Sequence, residues 1–65
     1  MNTTVIEIRK NEGTLTALLM KNEPAKEKYI IARSYDPIQK QWYGGGTYFT
    51  DLFEAVKEFE KRTRG

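Results

Sequence analysis

Neither cysteine nor histidine occurs among these 65 residues, so packing alone has to hold the chain together. A domain this short buries only about 60% of the surface its unfolded chain exposes. Domains of this size commonly gain stability from disulfides, metals or self-association. Without cysteine the first route is closed, and without histidine a zinc ion would have only carboxylates to bind. A well-packed core or a homodimer remains. The same absences bear on chemistry. There is no imidazole to act as a base near neutral pH and no thiol nucleophile. Ser34 is the only serine, and it lacks a nucleophile-elbow context. The helix carboxylates alternate with lysines in the manner of a solvated face. The expectation is a non-enzymatic chain with no cofactor and no metal.

Charged residues make up 31% and apolar residues 38% of the chain, which suits one folded domain over residues 1–65. The net charge of +2 is too small to mark a nucleic-acid binder by itself. Its distribution is mildly uneven, since Lys28, Arg33 and Lys40 are opposed only by Asp36 over residues 28–48. No apolar run is long enough to span a membrane. The opening Met1-Asn2-Thr3-Thr4 lacks the basic-then-apolar pattern of a secretory signal, so the cytoplasm is the expected location.

Val5 to Arg9 alternates β-branched and charged residues and reads as a strand. Asn11-Glu12-Gly13 is a turn signal, and Gly13 can take the positive φ that closes a short hairpin. Leu15 to Met20 forms the second strand. A register pairing Ile8 with Leu15 or Ala17 gathers Ile6, Ile8, Leu15, Ala17 and Leu19 on an apolar core side. Residues 21–27 are polar, contain Pro24 and read as an exposed loop. Tyr29 to Tyr35 is the third strand. Asp36-Pro37-Ile38-Gln39 suits a type I turn, and a short fourth strand follows around Gln41-Trp42-Tyr43. Gly44-Gly45-Gly46 breaks or bulges it, and Thr47-Tyr48-Phe49 resumes extended chain. No Gly-Lys-Ser/Thr follows the triplet, so it is not a Walker loop. Asp51, or alternatively Thr50, caps a helix over 51–63, with Glu54 placed to reach back. Leu52, Ala55, Val56 and Phe59 share one helical face. Glu58–Arg62 and Glu60–Arg64 pair at i,i+4, and Gly65 closes the chain. The expected fold is α+β: an antiparallel meander of three or four strands and one C-terminal helix on one sheet face. The other face is left open.

Tyr29, Tyr35, Trp42, Tyr43 and Tyr48 cluster with Arg33 and Lys40. On the third strand, Tyr29, Ile31, Arg33 and Tyr35 share one side by alternation, and Ile30, Ala32 and Ser34 the other. If the small side takes the helix, the Tyr/Arg side faces outward. Rings interleaved with cations on an open sheet make a stacking platform for single-stranded nucleic acid, worth about 1–3 kcal/mol per stacked base. Arg33 and Lys40 would meet phosphates, and Tyr29, Tyr35, Trp42 and Tyr43 would supply the rings. The same surface would suit a protein partner or a small inhibitor's target, because Tyr, Trp and Arg dominate hot spots. It would equally serve as a homodimer interface. Alternatively the rings are simply core, the usual way to fill a small domain.

Residues 33–59 resemble the end of the small transcriptional positive-cofactor family, whose Whirly-like relatives bind single-stranded DNA. The family's final strand runs glycine, two residues, an apolar residue and a helix cap, and Gly46-Thr47-Tyr48-Phe49-Thr50 follows that order. Asp36-Pro37 occupies the turn where the family has an Asp-containing hairpin. The resemblance implies a curved antiparallel sheet followed by a helix, dimerisation and single-strand binding. It covers less than half of the chain. The family sets lysines before that glycine, where this chain has Gly44-Gly45, so a cationic contribution to phosphate binding is missing there.

Overall fold

A computed structural model describes residues 2–64; Gly65, after the helix, lies outside them. The first two strands, β1 (Thr3–Asn11) and β2 (Thr14–Lys21), pair antiparallel through a two-residue turn. Glu12 and Gly13 both have positive φ, 53° and 85°, the requirement of the tight turn that matches strand twist. Ile8 pairs with Ala17, within the expected register. Ile6 departs from expectation. The register shifts between Val5 and Glu7, so Ile6 occupies a bulge and is exposed instead of joining Ile8.

β3 (Tyr29–Arg33) pairs with β2, and β6 (Gly46–Phe49) pairs with β3, giving the sheet order β1-β2-β3-β6. The chain is thus an antiparallel four-stranded sheet with one C-terminal helix. Between β3 and β6 it detours through two short strands, β4 (Tyr35–Asp36) and β5 (Gln41–Trp42), which form a separate two-stranded sheet. The expected fourth strand therefore belongs to this strap, and Gly46–Phe49 supplies the fourth strand of the main sheet.

Two expectations about the sheet faces are overturned. The helix α1 (Leu52–Thr63) packs on the side of Leu18 and Ile31, with Tyr29 and Phe49 at its margin, not on the small side of the third strand. Nor is the second face open: Ala17, Leu19, Ile30 and Ala32 lie fully buried there beneath Tyr35 and Trp42 of the strap. Volume explains both. Ala17, Ala32 and Gly46 make a shallow bed that accepts two large rings. Leu18 and Ile31 fill the space beneath a helix that brings Ala55 and Phe59. Tyr35 reaches the second face because Ser34 takes a left-handed φ of 52°, which interrupts the alternation and turns Tyr35 away from the side of Tyr29.

The helix starts where expected. The Asp51 carboxylate accepts from the Phe53 N–H at 3.2 Å. Ala55 and Phe59 are its buried residues, whereas Leu52 and Val56 stay exposed on one flank. Arg62 pairs with Glu58 at 2.8 Å as the i,i+4 spacing predicts. Glu60 instead clamps Arg9 of β1: Arg9 Nη2 and Nη1 donate to its two carboxylate oxygens at 2.7 and 2.9 Å. The Arg9 guanidinium also lies over the Phe59 ring, 5.4 Å from its centre. This clamp ties the last turn of the helix to the sheet's outer strand.

The clamp sets an acid limb on stability. Hydrogen bonding from Arg9 holds the Glu60 carboxyl below the usual range, and Arg62 does the same to Glu58. A carboxyl whose folded pKa is depressed contributes stability that is complete above its unfolded pKa. That contribution is lost as pH falls through the folded value. With no histidine to titrate, the urea midpoint should stay nearly level between about pH 6 and 8. It should decline below the ordinary glutamate range of about 4.3. Glu60→Gln should shallow that decline; a midpoint curve for Glu60→Gln that parallels the native one throughout would exclude the clamp as a contributor.

Candidate functional site

The six residues singled out by the sequence divide once folded. Tyr35 is 4% exposed and locked against Ala17 and Ala32. Trp42 is half-buried on the same cluster, directly across the strap from Tyr35. Tyr29 is half-buried beneath the helix. Arg33, Lys40 and Tyr43 are exposed. A continuous Tyr/Arg sheet face is therefore not assembled: three of its four rings pack onto the two core layers, and only Tyr43 is presented to solvent.

Each glycine of the triplet answers a local need. A Cβ at Gly44 would lie 2.9 Å from Ser34 Oγ and 3.2 Å from the Arg33 carbonyl carbon, where the chain passes close to β3. Gly45 has φ +95°, which L side chains rarely adopt. A Cβ at Gly46 would lie 2.9 Å from Trp42 Nε1, so the bare glycine is the seat of the indole. The triplet lets the strap fold back flat on the sheet.

With its inner side bolted down by Tyr35 and Trp42, the strap presents its turn outward. Ile38 is 90% exposed at the tip, and Tyr43 is 66% exposed. The tip is braced from within. Asp36 Oδ1 accepts from the Ile38 and Gln39 N–H groups at 2.9 and 3.3 Å, and the Lys40 N–H donates to the Asp36 carbonyl at 2.7 Å. The Tyr43 hydroxyl donates to Gln39 Oε1 at 3.0 Å, which steadies the ring beside the tip. Sequence reasoning passed over Ile38 as a turn residue. Its signal was available: an aliphatic side chain in a Pro-containing turn has no core to enter.

A second feature lies on the helix side of the sheet, where α1 ends. A groove of about 680 Å³ runs there between the β1–β2 turn and the glycine triplet, and Arg33 and Arg62 both line it. Thr16 pairs directly with Arg33, and Thr47 pairs with Ile31 two residues before it, so both hydroxyls rise on the face that carries Arg33. Arg62 Nη1 donates to Thr47 Oγ1 at 2.9 Å. Arg62 was legible only as a helix-surface charge, because nothing in its i,i+4 spacing says that it reaches across to β6.

Among the described residues, no three His, Cys, Asp or Glu side chains converge to hold a metal ion, and no helix is long and apolar enough to cross a membrane. No family model, curated protein or solved structure matches this chain, so the likeness to the positive-cofactor family stands on the quoted residues alone.

Proposed function

We propose that this chain is a non-catalytic protein-docking module whose contact element is the tip of the strap, with Ile38 as the anchor and Tyr43 and Lys40 beside it. The observation that carries this reading is the near-complete exposure of Ile38 on a turn braced by Asp36 and bolted to the core at its base. An isolated aliphatic side chain held in water gains by entering an apolar pocket, about 1.5–3 kcal/mol for full burial. Because the turn is already ordered, little conformational entropy is lost on binding. Lys40 makes no ion pair among the described residues, which favours a pocket rimmed by carboxylates. This reading ranks above a stacking platform for single-stranded nucleic acid because stacking needs several free ring faces, and Tyr35 and Trp42 are turned onto the sheet.

The test uses a photoreactive amino acid at Gln39, next to the anchor, in the chain's own cells. One dominant protein adduct is expected. It should vanish when the photoreactive group is moved to Lys26 in the distant loop. The captured protein, purified, should bind the native chain and lose roughly thirtyfold in affinity to Ile38→Asp, the scale of a hot-spot truncation. Since Ile38 is almost wholly exposed, this variant should melt with the native chain. Adducts indifferent to position, or binding indifferent to Ile38→Asp, would remove the proposal.

A further inference from the structure

We infer that the groove at the C-terminal end of α1 is a binding site for a phosphate group, with Arg33 as its principal contact. The site is separate from the strap tip and does not depend on the docking role. Arg33 is exposed and its side chain makes no hydrogen bond or ion pair among the described residues, so its five guanidinium donors are uncommitted. Arg62 spends Nε on Glu58 and Nη1 on Thr47, which leaves Nη2 free on the opposite wall. The Thr16 and Thr47 hydroxyls rise on the same sheet face, on the strands to either side of Arg33. The triplet edge of the groove carries no side chain, so an anion can approach the guanidinium closely.

Two guanidiniums and two hydroxyls lining one groove suit a tetrahedral oxyanion better than a planar carboxylate. One guanidinium fork satisfies a carboxylate, whereas a phosphate has further oxygens for the second arginine and the threonines. Two features oppose the anion and keep the affinity modest. Glu12 stands on the rim. The helix also points its negative end this way, offset by Lys61 and Arg62 in its last turn. The phosphate could belong to a small phosphorylated molecule or to a polynucleotide backbone, and both present the same oxygens.

The experiment is an amide-resolved NMR titration of the intact chain with sodium pyrophosphate and, separately, with a short oligothymidylate, against sodium chloride at matched ionic strength. Saturating submillimolar shifts are expected at Thr16, Thr47 and residues 44–46. Arg33→Ala should weaken them roughly tenfold, the scale of a lost charge-assisted hydrogen bond, without changing Tm. Glu12→Gln should tighten binding, and Ile38→Asp should leave it unchanged. Oligothymidylate binding more tightly than pyrophosphate, with shifts extending to Tyr43, assigns the phosphate to a polynucleotide. Pyrophosphate binding as tightly or more so, confined to the groove, assigns it to a small molecule. Shifts that never saturate, that scatter over all lysines and arginines, or that survive Arg33→Ala would overturn the inference.

Discussion

Phe59→Ala should leave little folded protein at 37 °C. Phe59 is fully buried, and its neighbours Leu18, Ile31 and Ala55 are themselves buried, so the vacated space has no side chain ready to fill it. Core Phe→Ala changes cost about 3–5 kcal/mol. At about 0.05–0.15 kcal/mol per residue, a domain of this size has roughly 3–10 kcal/mol in total. The Arg9 guanidinium over the ring also loses its apolar support, which loosens the clamp to Glu60. Urea unfolding followed by far-ultraviolet circular dichroism would show the midpoint collapsing. Phe59→Leu keeps most of the volume and should cost under about 1.5 kcal/mol. If Phe59→Ala melted within a few degrees of the native chain, the ring could not be the centre of the helix-side core.

The second large effect concerns the strap. Trp42→Ala should cost about 3 kcal/mol, the lower end for a buried tryptophan, because the indole is only half-buried. Gly46→Ala should cost about 1–3 kcal/mol by overpacking, since its Cβ would meet Trp42 Nε1 at 2.9 Å and Ile30 Cγ2 at 3.4 Å. Trp42 is the only tryptophan, so its emission reports on its own seat. Gly46→Ala should shift that emission to the red while the far-ultraviolet spectrum keeps its shape. The two changes should not add. With the indole gone, alanine at position 46 meets little resistance, and its strand entropy gain over glycine, roughly 0.5–1 kcal/mol, offsets the remaining contact. Additive costs in the double variant would mean that the glycine serves something other than the indole.

These effects matter for the proposed docking role because the strap's inner and outer sides are coupled. Tyr35 and Trp42 hold the hairpin against the sheet, and that grip keeps Ile38 at a fixed point in solvent. A chain with an unseated strap would still carry Ile38 but would have to order the turn on binding, and affinity would fall accordingly.

Local chemistry alone made the α+β class, the Glu12-Gly13 hairpin, the third strand as far as Arg33 and the Asp51-capped helix readable, because each rests on neighbours in the chain: a turn needing positive φ, a period of two, a cap two residues from the N–H it accepts. The exposure of Arg33, Lys40 and Tyr43 also agreed with the reading. Which sheet face the helix covers was decided only in three dimensions. Alternation sorts β3 into two sets but is silent on which set meets which layer. That choice fell to the fit of volumes, small residues beneath the rings of Tyr35 and Trp42 and large ones beneath Ala55 and Phe59. The left-handed turn at Ser34 was equally hidden, since serine carries no local signal for positive φ. It sends Tyr35 inward, removes the expected platform and leaves Ile38 outside.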